Sequence, residues 1–226
     1  MKALKRIATL FACSAMFLAP QTLADDKKPA AAATDAAKAA AAHAMPDEKA
    51  MAEAMEKMAK LGPNHELLKG MIGDWDYTMS WWMDPSQPAQ TSKGTAKHVS
   101  MMEGRYVHSD HQGTMAMPDP ANPGKSVDKP FHGAGVTGYD NMKQKFVSVW
   151  MDNMSTGMFM TEGTYDAAAK TFTYHGDMDD PMMSGSKVHV RYTIKMTDND
   201  HHDFTWYETR GGQEMKTMEI KYARKK

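Results

Sequence analysis

The stretch from His65 to Met83, HELLKGMIGDWDYTMSWWM, constrains the fold more than any other part of the chain. It begins with a short run at helical spacing that ends at Gly70 and Gly73. After Gly73, large apolar residues alternate with polar ones, which is the two-residue period of a strand with one buried face. The apolar positions are Trp75, Tyr77, Met79 and Trp81. A β-barrel or a β-sandwich is therefore predicted to begin here.

Nine further segments have strand patterns and are separated by turn residues such as Asp140-Asn141 and Gly211-Gly212. They are Thr91–Met102, Arg105–Met115, Gly133–Asp140, Lys145–Asp152, Gly157–Asp166, Thr171–Asp177, Ser186–Thr197, His202–Thr209 and Glu214–Tyr222. Such regular spacing predicts an all-β fold, an antiparallel barrel of roughly ten strands with an N-terminal helix. A two-sheet sandwich is the alternative. The prolines and glycines of Met117–Gly133 predict a long irregular loop, either a lid or simply flexible.

The first 24 residues are typical of an export signal, with a basic start, an apolar run and small residues before a cut near Ala24. A lipoprotein cut before Cys13 is the alternative. Residues 25–45 are rich in alanine and predict a disordered linker. An amphipathic helix is predicted over 46–62 and the barrel domain over 63–226. The mature protein is thus expected in the periplasm or outside the cell.

Composition excludes several functions. Removing residues 1–24 takes away three basic residues and no acidic one, which changes the formal net charge from −1 to −4 and argues against a nucleic-acid partner. The single cysteine, Cys13, lies in the signal, so the mature chain is expected to hold no disulfide and no cysteine nucleophile. No further apolar run is long enough to span a membrane. No serine-nucleophile or phosphate-loop motif is present, so no catalytic residue is assigned.

Several short motifs follow one another in a fixed order along the chain. They are His65-Glu66-Leu67-Leu68, Gly73-x-Trp75, Gly104-Arg105-Tyr106, Gly138-Tyr139-Asp140-Asn141, Lys145–Asp152, Ser155-Thr156-Gly157, Glu162–Asp166 and Val190-Arg191. Together they resemble the bacterial family called "domain of unknown function 1579". The resemblance covers the chain from Pro63 onward and implies a calycin-like β-barrel, without an established activity.

The Gly73-x-Trp75 motif also resembles the opening of lipocalin-type barrels. That resemblance implies that the tryptophan closes the barrel floor beneath a basic residue from a late strand, held by cation–π packing. The candidates for the basic residue are Arg191, Arg210, Lys221 and Arg224.

A closed barrel of this size has room for one small ligand. The predicted function is therefore an exported barrel that binds a hydrophobic or amphipathic molecule of unknown identity. The predicted ligand-binding residues are Trp75, Tyr77, Trp150 and Trp206 as apolar walls, with Asp152 and Arg191 as polar anchors. The pattern itself favours other roles for three of them, namely core packing for Trp150, a turn cap for Asp152 and an outward or floor-packing position for Arg191.

An enzyme on the same barrel, using Asp152, His132 or His189 as acid or base, is the alternative function. The pattern favours the binder, because no histidine and carboxylate are held together at a fixed spacing. A third hypothesis is that some of the 24 methionines handle copper. The simpler explanation is that these methionines pack in the core in place of leucine and valine.

No sequence motif indicates a cofactor or a metal ion, so the cofactor is unknown and no metal ligand is assigned. Haem binding would need an inward histidine such as His132, His175 or His189. His108 and His111 are predicted to lie on opposite faces of one strand. The pair His201-His202 beside a turn predicts a solvated loop tip.

Overall fold

The computed structural model describes residues 47–84, 86–122 and 124–226. The predicted signal peptide and the alanine-rich linker lie outside this range. In the described residues, ten antiparallel strands close into one barrel in the order β1-β10-β9-β8-β7-β6-β5-β4-β3-β2. The predicted ten-stranded barrel is therefore confirmed over the sandwich.

The helices are α1 (Glu48–Ala59) and α2 (Pro63–Leu68), with short 3₁₀ turns at Lys69–Met71 and Met102–Gly104. The strands are β1 (Gly73–Trp81), β2 (Gln90–Met101), β3 (Tyr106–Pro118), β4 (Ser126–Asp140), β5 (Lys145–Asp152), β6 (Phe159–Asp166), β7 (Thr171–Asp179), β8 (Lys187–Met196), β9 (His201–Arg210) and β10 (Gln213–Arg224).

Each strand pairs with its neighbours in the chain, and the pairing of β1 with β10 closes the sheet. Trp75 lies opposite Arg224, and Tyr77 lies opposite Tyr222. Closure pairs every strand on both sides within the barrel, which is how an up-and-down barrel satisfies its backbone hydrogen bonds.

The predicted loop over Met117–Gly133 was wrong, because most of it is a long hairpin. Strand β3 runs to Pro118 and β4 starts at Ser126, with Thr114 opposite Pro130. Strand β5 reaches only as far as Asp152, opposite Gly133. Pro130 therefore sits where β4 has a free edge, and an edge tolerates a residue without an N–H group.

The barrel floor is closed around Trp75, whose side chain is 0% exposed. The Trp75 indole Nε1 donates to the Met71 carbonyl oxygen at 3.0 Å. The Arg224 guanidinium carbon lies 4.1 Å from the centre of the indole ring. Arg224 also donates to the carbonyl oxygens of Ile72 at 2.7 Å and Gly70 at 3.2 Å. Of the four basic candidates, Arg224 is the one that covers the tryptophan.

Helix α1 is present, but it does not pack its methionine stripe on the barrel. None of its residues is buried, and Met55 and Met58 are mostly exposed. Its carboxyl end is held by the side chain of Asn141, whose Nδ2 donates to the carbonyl oxygens of Lys57 at 3.1 Å and Lys60 at 2.7 Å. The β4–β5 turn thus caps the helix, because the last carbonyl groups of a helix have no hydrogen-bond partner within the helix itself. Neither α1 nor any other helix in the described ranges is long and apolar enough to span a membrane.

We expect Gly73→Ala to lower the free energy of unfolding by about 3 kcal/mol. Gly73 has a φ of +144°, and a Cβ atom there would lie 2.1 Å from Arg224 Nη1. Urea unfolding followed by tryptophan fluorescence measures the change. Gly157→Ala is the control, since nothing lies within 4 Å of a Cβ atom at Gly157. Equal stability of both variants would contradict this account of the floor.

Candidate functional site

The two ends of the barrel differ in how deeply their inward side chains are buried. At the floor, Leu68 is 1% exposed and Trp75 is 0% exposed, because α2 and the 3₁₀ turn after it cover that end. At the other end the inward side chains are only half-buried. We call this open end the cup. Its inward side chains are Trp81, Met115, Phe131, Trp150, Asp152, Phe159, Met178, Trp206, Glu208, Arg210 and Met218.

Small residues opposite the aromatic ones make room inside the barrel. Trp150 lies opposite Gly135 in the β4–β5 pair. A Cβ atom at Gly133 would lie 2.3 Å from the Trp150 ring, and one at Gly94 would lie 2.3 Å from the Tyr77 hydroxyl. Trp150 therefore leans across β4 into the barrel, where it meets the ring of His111 at 5.1 Å between centroids.

Each of two tryptophans of the cup donates a hydrogen bond to a carboxylate two residues later on its strand. Trp150 Nε1 donates to Asp152 Oδ2 at 3.0 Å, and Trp206 Nε1 donates to Glu208 Oε1 at 3.3 Å. Residues two apart on a strand share a face, so both carboxylates face into the barrel with their indoles. The hydrogen bonds fix the orientation of both ring planes.

The carboxylates of the cup differ in their partners. Asp152 accepts from the Trp150 indole and, through Oδ1, from the Met154 amide nitrogen at 3.0 Å. Glu208 accepts from Arg210 Nε at 3.0 Å, and Arg210 Nη1 reaches Asp180 Oδ2 at 2.5 Å. One guanidinium therefore serves two carboxylates, whereas Asp152 is held by neutral donors.

Beneath the cup lies a cluster of three buried histidines, His98 from β2, His111 from β3 and His202 from β9, which we call the histidine cluster. They are 8%, 7% and 3% exposed. The His98 ring centroid lies 5.3 Å from that of His111 and 6.2 Å from that of His202. His202 also stacks on Tyr222 at 4.3 Å.

Burial keeps these three imidazoles neutral at pH 7. Loss of solvation lowers the pKa of His98 to about 4 and the pKa values of His111 and His202 to about 3. Repulsion from His98 lowers the pKa values of His111 and His202 further, and the nearby Arg224 lowers those of His98 and His202.

Each histidine of the cluster has a buried ring nitrogen without a hydrogen-bond partner, namely His98 Nε2, His111 Nδ1 and His202 Nδ1. His98 Nδ1 lies 3.0 Å from the Met71 carbonyl oxygen. A carbonyl only accepts, so Nδ1 carries the proton and Nε2 is a buried acceptor without a donor. His111 Nε2 lies 3.0 Å from the Tyr222 hydroxyl. The cluster therefore has unused hydrogen-bonding capacity.

This cluster is not arranged as a metal centre. Within the described ranges, no group of three or more His, Cys, Asp or Glu side chains is placed to hold a metal ion. Two clefts on other parts of the barrel, of about 420 and 490 Å³, are lined by neither Trp150 nor Trp206. They are separate from the cup.

The structure brings together three of the six predicted ligand-binding residues. Trp150, Asp152 and Trp206 lie in the cup, while Tyr77 lies deeper, with its ring 5.9 Å from that of His111. Trp75 forms the floor. Arg191 lies on the outer face, where its Nε donates to Glu214 Oε1 at 2.7 Å and its guanidinium covers Tyr207. The outward alternative for Arg191 is the one that the structure has.

The histidine cluster was missed by the sequence reasoning. The predicted solvated position of His202 was wrong, because β9 begins at His201 and turns His202 inward opposite Tyr222. His132, His175 and His189 are exposed on the outer face, and His132 and His189 are bonded there to Asp110 and Asp177. The prediction for His108 and His111 was right, since only His111 is buried.

The described residues form a closed ten-stranded antiparallel β-barrel with the cup at one end. Residues 60–224 match the family described as "Protein of unknown function (DUF1579)", and the chain belongs to that family. No functionally curated protein matches its sequence.

Solved structures with a similar arrangement are distant in sequence. Rv2717c from M. tuberculosis is 13% identical, with 74% of this chain and 100% of that chain covered and a TM-score of 0.48. The S-type phycobiliprotein lyase CPES from Guillardia theta is 10% identical, with coverages of 71% and 92% and a TM-score of 0.43. A redesigned β-barrel is 16% identical, with coverages of 74% and 100% and a TM-score of 0.34. Likenesses this low transfer neither a ligand nor an activity to this chain.

We expect the histidine cluster to make the barrel sensitive to mild acid. The pKa values of the three histidines are lower in the folded state than in the unfolded chain. Below about pH 6.5 the unfolded chain therefore binds protons that the folded chain does not. Stability is therefore full above that pH and falls as the pH drops toward the folded values. The loss should reach about 2 kcal/mol per histidine, or about 6 kcal/mol in all, near pH 5.

Urea unfolding at a series of pH values measures this dependence. His111→Gln should reduce the slope by about one third, because one of three titrating groups is removed. His108→Gln, on the outer face of the same strand, should leave it unchanged. Stability that stays flat between pH 7 and pH 5 would show that the cluster is not neutral and buried in solution.

Proposed function

We propose that this protein is a small-molecule-binding barrel that takes an amphipathic ligand into the cup. The observation that carries the proposal is the set of aromatic side chains that face into the barrel at one end and are only partly buried. Phe159 of β6 and Trp206 of β9 meet across the interior at 5.2 Å between centroids, although their strands are not neighbours. Large apolar surfaces left wet in a concave site favour a ligand that covers them.

The residues of the cup suit a ligand with an apolar body and a polar group. The indole faces of Trp150 and Trp206 offer flat apolar surface, whose burial contributes about 25 cal/mol per Å². Asp152 and Glu208 lie beside them and provide hydrogen-bond acceptors whose orientation is already fixed. Fixed partners reduce the entropy lost when a ligand binds.

Binding is favoured over catalysis by the partners of Asp152. A general acid or base is normally paired with a second polar group that tunes it. Asp152 is bonded to an indole and a backbone amide instead of a histidine. The histidines of the cluster, with pKa values of about 3 to 4, are weak bases at pH 7.

We also propose that the protein works outside the cytoplasm, in the periplasm or secreted. The support is the pattern of residues 1–24, with its basic start, apolar run and small residues at Thr22-Leu23-Ala24.

Isothermal titration with naphthylmethanol, a neutral molecule with an aromatic body, tests the binding proposal. We expect saturable binding that weakens by about tenfold or more in Trp150→Ala, because one aromatic wall is lost. Trp82→Ala is the matched control, since Trp82 lies beyond the end of β1 under the Lys216 ammonium group. Absence of binding to the unaltered protein, or equal loss in both variants, would contradict a ligand site in the cup.

Intact-mass measurement of the protein from its own host tests the export proposal. A mature chain that starts near Asp25 is the expected result. A lipid-modified chain that starts at Cys13 would favour the lipoprotein alternative, and an uncut chain would contradict export.

A further inference from the structure

The charges of the cup are unbalanced, and this bears on the kind of ligand it takes. Three carboxylates, those of Asp152, Asp180 and Glu208, lie in or beside the cup, against the one guanidinium of Arg210. Asp180 and Glu208 share Arg210, with side chains only 9% and 16% exposed. Asp152 is left as a half-buried carboxylate whose hydrogen bonds come from neutral groups.

We propose that the cup binds an amphipathic organic cation, such as a protonated aromatic or alkyl amine, and this inference rests on the proposed function of the same site. A half-buried carboxylate without a cationic partner is costly, and a ligand ammonium group relieves that cost. The hydrogen bond from the ammonium to Asp152 is charge-assisted and stronger than one between neutral groups.

The aromatic walls favour the same charge. Ring faces carry partial negative charge and attract cations, with tryptophan the strongest. Trp150 and Trp206 each donate their indole N–H to a carboxylate, which holds the rings in place, and Trp206 also stacks on Tyr192. An anion would meet these faces and the carboxylates with repulsion.

A second, independent observation lies beneath the cup. His98 Nε2 is a buried acceptor without a donor, in a residue that is 8% exposed. His98 lies against His111, which in turn contacts Trp150. An ammonium group has donors and no acceptor, so a ligand of this class is the kind that a buried acceptor nitrogen lacks.

The cations elsewhere on the barrel do not change this balance. Arg191 is paired with Glu214 on the outer face, and Arg224 lies over Trp75 at the opposite end. Lys129 lies opposite Met115 at the rim of the cup, with an exposed side chain, and counting it still leaves three carboxylates against two cations. A ligand carboxylate entering the cup would meet Arg210, which two carboxylates already occupy.

Titration with three molecules that share one aromatic body tests the inference. They are naphthylmethylamine, naphthylmethanol and naphthoate, which are a cation, a neutral molecule and an anion at pH 7. Calorimetry on the unaltered protein should give affinities in that order, with the amine about tenfold tighter than the alcohol. Added salt should weaken the binding of the amine and leave the binding of the alcohol unchanged.

Asp152→Asn keeps the shape of the side chain and removes its charge. We expect it to abolish the preference for the amine over the alcohol, because the ammonium group loses its charged partner. Asp177→Asn, on the outer face of β7, should preserve the preference. Circular dichroism of each variant confirms that the barrel is intact.

The outcomes separate the two proposals. If the alcohol or naphthoate binds as tightly as the amine, the cup binds ligands but does not select cations, and the inference fails alone. If Asp152→Asn retains the full preference, the inference fails in the same way. If none of the three molecules binds, the proposed function fails and the inference falls with it.

Discussion

The packing of Arg224 over Trp75 is the contact on which the rest of the barrel depends. It joins the last strand to the first, and the same guanidinium binds the carbonyl oxygens of Gly70 and Ile72. One side chain therefore covers the floor tryptophan and fixes the segment that seals this end, beside the β1–β10 pairing that closes the sheet. Because the floor is filled in this way, the less buried end of the barrel, among the described residues, is the opposite one.

The alternation of each strand then divides the interior into layers of different chemistry. Next to the floor are neutral histidines and tyrosines, and above them are aromatic rings with carboxylates. Both layers retain polar groups that apolar packing would have avoided. A buried imidazole nitrogen without a partner and a half-buried carboxylate without a cation each reduce stability, and such costs typically accumulate at binding sites.

Much of the fold could be predicted because its signals are local. The predicted strand Lys145–Asp152 has the same bounds as β5 in the structure. Its alternation places Trp150 and Asp152 on one face. The hairpin of β3 and β4 was missed because proline suggested irregular structure, and only the missing strand beside Pro130 shows why proline fits there. His202 was missed because a residue beside a turn has no alternation on one side.

The sequence by itself determined the strand number, most of the turns and the set of β5 residues that share a face with Trp150, since each depends on residues a few positions apart. Only the tertiary structure decided which basic residue covers Trp75 and which histidines meet. His98, His111 and His202 come from β2, β3 and β9, and their meeting depends on the register of β1, β2, β3, β9 and β10 around the closed barrel. A shift of one residue in any pairing would turn a histidine outward, and no local pattern specifies all of those registers together.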